Sequence, residues 1–115
     1  MLTEKDYCDY ETCVALWSMG LIPHHYDNTD TDKVMAIISL YEAQKWLREE
    51  KNIDVLIQLD TKDIHLSSKY YSIYISYMSR FRREFSYISQ NFDSYEEALS
   101  EGIKEAVKIL KGGVR

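Results

Sequence analysis

Between His24 and Asp32 the chain reads HHYDNTDTD, placing two imidazoles and three carboxylates within nine residues. Divalent cations of intermediate softness accept such ligands, and His24, His25 and Asp27 are the candidate metal residues. Two features weigh against that chemistry. Adjacent side chains of an extended segment project to opposite sides. The stretch also lacks the glycine that a tight calcium loop needs at its turn. A solvated connection built from turn-forming Asp and Asn accounts for the same residues and is the default expectation. Cys8 and Cys13 offer thiol chemistry, but a C-x4-C pair with no second half is a poor zinc site. Cys13, among apolar helix residues, reads as core filling, and both cysteines are expected as free thiols. No local signature joins a cysteine to His24, His25 or His65 as base. Glu49–Glu50 and Glu96–Glu97 are sequence neighbours and diverge around their helices, and the four glycines form no phosphate-binding loop. These residues predict no catalytic constellation and no cofactor.

The stretch KYYSIYISYMSRFRREFSYI, Lys69 to Ile88, holds five of the ten tyrosines together with Arg80, Arg82 and Arg83. Aromatic rings beside arginines can stack bases and neutralise phosphates of single-stranded nucleic acid. Tyrosine interleaved with serine also makes a protein-binding surface, with rigid contact area and adaptable hydrogen bonding. Charge separates the two readings. The net charge is −5, and residues 1–32 set seven acids against Lys5 alone. Residues 62–91 are net basic, with Lys62, Lys69, Arg80, Arg82 and Arg83 against Asp63 and Glu84. An acidic molecule repels nucleic acid, so a protein partner or a second copy is the favoured ligand. The expected binding surface comprises Tyr70, Tyr74, Met78, Arg80, Arg82 and Arg83; single-stranded nucleic acid is the alternative. No apolar run is long enough to cross a bilayer, and the charged start MLTEKDYCDYE lacks a signal-peptide apolar core. The expectation is a cytoplasmic, non-enzymatic interaction or accessory module with no membrane partner.

Positioning these residues requires a single domain of 115 residues. Asp9 caps a first helix over YETCVALWSMG, with Tyr10, Cys13, Leu16 and Trp17 on its apolar face and Gly20 at its end. Residues 21–33 read as a polar connection, and Val34–Ile38 as a short apolar run, a candidate strand, leading into the next helix. Ser39 and Glu42 form a capping box for LYEAQKWLREEK, whose Leu40, Ala43 and Leu47 line one side. Asn52 is its left-handed stop. Three alternating segments follow: IDVLIQLD, YYSIYISYM and RFRREFSYI. A second capping box, Ser94 with Glu97 (or Asp93 as the cap), starts a last helix carrying Tyr95, Ala98, Leu99, Gly102, Ala106, Ile109 and Leu110 at helical spacing. Gly102 costs about 1 kcal/mol relative to Ala inside a helix, which close approach of the helix to a sheet would explain. The fold class is therefore α+β: two N-terminal helices, a three-stranded antiparallel sheet, and a C-terminal helix on one sheet face. To bring Phe85 and Tyr87 beside Ile73 and Ile75 on the helix side, Ile75 must pair with Phe85 through a three-residue turn at Ser79-Arg80-Phe81. The open face then shows Tyr70, Tyr74, Met78, Arg82 and Ile88.

AQKWLREEKNI (Ala43–Ile53) and FDSYEEALSEGIKEAVKIL (Phe92–Leu110) resemble two segments of a group of short uncharacterised proteins from gut anaerobic bacteria and their phages and mobile elements. In that group a WLRE helix precedes a small sheet, and a YEEAL…G(I/L)KEAL helix closes the chain. The resemblance spans about the C-terminal two-thirds. It implies a stable accessory domain and brings no activity or catalytic residue with it.

Overall fold

The computed structural model describes residues 4–30, 33–60, 70–92 and 94–112. The chain is α+β, with three α-helices and a three-stranded antiparallel sheet. A short 3-10 turn, Glu4–Asp6, leads into α1 (Tyr10–Ser18). Strands β1 (His25–Asp30) and β2 (Lys33–Ile37) precede α2 (Leu40–Glu50). Strands β3 (Ile53–Asp60), β4 (Tyr70–Ser79) and β5 (Arg82–Phe92) pair in that spatial order, and α3 (Tyr95–Lys111) follows.

Each helix begins where a side chain satisfies a backbone donor of the first turn. Asp9 accepts from the Thr12 N–H at 2.8 Å. At α2, Ser39 Oγ accepts from the Glu42 N–H at 3.1 Å while Glu42 reaches back to the Ser39 N–H, closing the expected capping box. Ser94 accepts from the Glu97 N–H at 3.1 Å; Asp93, the other candidate cap, lies outside the described residues. Asn52 has φ +55° and Gly20 φ +111°, so both stop residues take up the left-handed conformations their types favour.

The apolar face of α1 is rotated from the expected one. Thr12, Cys13, Ala15 and Leu16 are buried, whereas Tyr10 and Trp17 are exposed, Trp17 meeting Tyr26 edge-on at 5.7 Å. Tyr26 belongs to a hairpin that the sequence presents as a polar connection. Tyr26 pairs with Ala36 and Asp27 with Met35, so the loop residues acquire strand structure from their partner, not from apolar alternation of their own.

One core joins the elements. Leu16, Ile38, Leu40, Leu47, Ile53, Val55, Ile73, Ile75, Leu99 and Ile103 are almost completely buried. The sheet contributes its odd-numbered β3 and β4 residues: Val55 pairs with Ile75 and Ile57 with Ile73. Gly102 of α3 lies directly over them, where a Cβ would stand 2.5 Å from Val55 Cγ1 and 3.1 Å from Ile73 Cγ2. The glycine thus sets the depth at which α3 rests on the sheet. Gln44 of α2 donates to the Val55 carbonyl at 2.7 Å, tying α2 to β3. The molecule is 19 Å deep along its shortest axis, the depth of one helix layer on one sheet. Among the described residues no third layer covers the opposite face of β3–β5.

Candidate functional site

The turn between β4 and β5 decides which rings reach that uncovered face. Ser79 pairs with Arg82, leaving Arg80-Phe81 as a two-residue turn. Arg80 carries φ +55°, a positive first turn residue of the kind found in type II′ hairpins, whose twist suits the flanking strands. The three-residue turn expected at Ser79-Arg80-Phe81 is therefore corrected. Ile75 faces Ser86 instead of Phe85, and Ile73 faces Ile88 instead of Tyr87. A slip of one residue moves every β5 side chain to the other face. Phe85, Tyr87 and Arg83 stand on the open face, whereas Arg82 and Ile88 stand on the helix side. This register puts Ile88 against the core and leaves the large Phe85 ring out of the space beneath α3.

The open face is ordered in rows. Leu56, Tyr74 and Tyr87 lie side by side across the three strands. The rings of Tyr74 and Tyr87 meet at 4.5 Å with a 41° tilt. Beneath them Ser72 and Ser76 are buried, although they point away from the core. Tyr87 Oη is 3.4 Å from Ser72 Oγ, and Arg83 donates at 2.9 Å to Ser76 Oγ and at 2.9 Å to Asn52 Oδ1. The small serines leave room for the neighbouring side chains to lie over the sheet. The result is a contiguous apolar strip with Leu56 55%, Phe85 75% and Tyr87 51% exposed, flanked by Met78 and, at the hairpin tip, Phe81.

The sequence-derived surface is brought together only in part. Tyr74 and Met78 lie on the open face. Tyr70 is in β4, but its side chain lies outside the described residues. Arg80 occupies the turn, and Arg82 is on the opposite face, paired with Glu84 Oε1 at 2.8 Å. Arg83 is held by Ser76 and Asn52. Arg82 and Arg83 therefore do not combine into one phosphate-binding strip. Phe85, Tyr87 and Leu56 are additions that sequence reasoning missed. The alternation of β5 was visible, but its assignment to a face depended on the turn.

At the other candidate site, His24 is exposed, with Nε2 3.9 Å from Glu42 Oε2. The backbone of His25 and Asp27 runs in β1, and their side chains lie outside the described residues. Among the described residues no group of three or more His, Cys, Asp or Glu is arranged to hold a metal ion.

A second constellation lies behind the sheet. Tyr7 bridges to Ser39, and the Cys8 N–H donates to the Ile38 carbonyl at 2.9 Å, pinning the segment before α1 against the start of α2. This places the Cys8 and Cys13 thiols together, both buried and both free. Cys13 Sγ is 3.5 Å from the Cys8 carbonyl oxygen, and Cys8 Sγ is 3.9 Å from the Ser39 carbonyl oxygen. The proximity of Cys8, with the Ile38 backbone, lowers the Cys13 thiol to about 7 against the opposing effect of burial. That same contact, together with burial, raises the Cys8 thiol. Cys8 borders a cleft of about 690 Å³ between the segment before α1 and the N-terminal half of α3, walled by Tyr7, Tyr10, Glu97 and Lys104 among others. Lys104 crosses the wall to Asp9 at 3.2 Å and Glu101 at 3.3 Å. Asp9 is held below the usual carboxylate range by the Thr12 side chain and N–H and by Lys104.

Compared with protein-family models, curated proteins and solved structures, the chain matches none. No helix among the described residues is long and apolar enough to cross a membrane.

Proposed function

We propose that the chain is a non-enzymatic interaction module that binds a protein partner, or a second copy of itself, through the open face of β3–β5. The observation that carries this reading is the apolar strip in which half-buried Tyr74 lies between exposed Leu56 and Tyr87, with exposed Phe85 beside it. Apolar side chains scattered singly over a surface call for no explanation, but a contiguous strip across three strands marks a site of contact. Tyrosine and phenylalanine are enriched at the centres of protein interfaces, where cations such as lysine are depleted. Arg83, hydrogen-bonded to Ser76 and Asn52, keeps its fork fixed beside the rings, so little order is lost when a partner docks. The accessory role implied by the resemblance to short proteins of anaerobes and mobile elements points the same way, as does the absence of a catalytic grouping from the reading of the sequence. We place the module in the cytoplasm.

Phe85→Ser and Tyr87→Ser remove exposed rings without opening the core. Sedimentation of wild type and variants over a range of concentrations, with affinity recovery of binding proteins, tests the proposal. The variants should lose self-association or the recovered partner while their melting midpoints stay near that of wild type. Unchanged assembly together with unchanged recovery would refute the assignment of this face. Binding of a single-stranded oligonucleotide at low salt, abolished by Arg83→Ala, would replace the protein partner with nucleic acid.

A further inference from the structure

The interaction surface leaves the Cys8–Cys13 pair unused. Two free, buried thiols with four residues between them are brought together beside the bridge to α2, Cys13 Sγ standing 3.5 Å from the Cys8 carbonyl oxygen, and Cys8 borders a cleft of about 690 Å³.

We propose that Cys8 and Cys13 form a reversible dithiol–disulfide couple whose oxidant is a hydroperoxide. Both thiols are almost covered, with Cys8 9% and Cys13 5% exposed, so a small oxidant is suited to the site and a bulky disulfide is not. We take Cys13 as the attacking sulfur, because within the pair its thiol is the one lowered, by its contact with Cys8 and by the Ile38 backbone, while Cys8 is raised. Its lone pair attacks one peroxide oxygen, the O–O bond breaks, and hydroxide (or the alkoxide of an organic peroxide) departs and takes up a proton. Cys13 is then a sulfenic acid. Cys8 supplies the second step. Its sulfur attacks the Cys13 sulfur, the S–O bond breaks, hydroxide leaves, and the Cys8 proton completes a water molecule. Two thiols and hydrogen peroxide give one disulfide and two waters, the two electrons passing from sulfur to the peroxide oxygens. Asp9 and Glu42 carboxylates oppose the thiolate, so the hydrogen bonds at Cys13 are needed to expose its reactivity at neutral pH.

The test treats the folded, full-length protein with hydrogen peroxide in the presence of dimedone, which traps sulfenic acids. Free thiols and intact mass are read before and after dithiothreitol. Wild type should lose both thiols and about 2 Da, carry no dimedone, and recover fully on reduction. Cys8→Ser removes the resolving thiol and should accumulate a dimedone adduct at Cys13. A circular-dichroism melt of each sample confirms that the chemistry is that of the folded chain. Retention of both thiols in wild type, dimedone or sulfinic products in place of the 2 Da loss, or disulfides between chains would each overturn the couple. Trapping on Cys8 in a Cys13→Ser variant, with none on Cys13 in Cys8→Ser, would overturn the assigned roles.

Discussion

Replacing Gly102 by alanine sets two opposing effects against each other inside one helix. Alanine is preferred over glycine in a helix interior by about 1 kcal/mol. Against this, the new Cβ would stand 2.5 Å from Val55 Cγ1 and 3.1 Å from Ile73 Cγ2. Carbon atoms settle at about 3.5–4.0 Å, so α3 or the sheet must yield by roughly 1 Å. Overpacking of this kind costs about 1–3 kcal/mol. The upper part of that range applies, because Val55 and Ile73 are buried β-branched residues on paired strands and have few rotamers to retreat into. The net expectation is a loss of about 1–2 kcal/mol, which for a chain of this size lowers the melting midpoint by about 5–10 °C. Urea titration at fixed temperature, with the slope unchanged and the midpoint lowered, measures it. The same substitution in a Val55→Ala background removes the nearest obstacle and should cost about 1 kcal/mol less there than in wild type. A midpoint for Gly102→Ala equal to or above that of wild type would refute the close approach; an equal cost in both backgrounds would acquit Val55.

Arg80→Gly should raise stability by about 0.5–1 kcal/mol, since the left-handed backbone that strains arginine at φ +55° is free to glycine, less the entropy glycine loses on folding; a lowered melting midpoint would contradict the two-residue turn. Arg83→Ala deletes the hydrogen bonds to Ser76 and Asn52 and should cost about 1 kcal/mol in a urea titration, with Lys at that position restoring little because it lacks the fork. Asp9→Ala should cost about 1 kcal/mol near neutral pH by uncapping α1 and freeing Lys104. The folded state lowers the Asp9 pKa, so its ionised contribution is present above the ordinary carboxylate value and lost as pH falls through the folded one. Melts of both proteins at neutral pH and near pH 2 should therefore converge at the acid end, and a gap that widens on acidification would contradict the assignment.

What the sequence determined by itself is the set of structures in which cause and effect lie within a few residues. Asp9, Ser39 with Glu42, and Ser94 cap the three helices because a short polar side chain meets a backbone donor three residues on. Asn52 and Gly20 end helices because those residue types tolerate positive φ. Gly102 announced a close approach, since a helix interior otherwise disfavours glycine. The three strands and the α+β class were legible from alternation alone. Three features were not, and each depends on contacts between distant parts of the chain. Residues of β1 have no apolar alternation and become a strand by pairing with β2. Cys8 meets Cys13 because Tyr7 and Cys8 are held by Ser39 and Ile38. The face of β5 was undecided because the side-chain period of a strand is two, so a single residue in the turn inverts it. Ser79-Arg80-Phe81 contains no glycine or asparagine to mark the positive φ, and both registers place alternating rings along the strand. Core packing of Ile88 against the sheet, with a strained Arg80 tolerated in return, selects the register that turns Phe85 and Tyr87 outward.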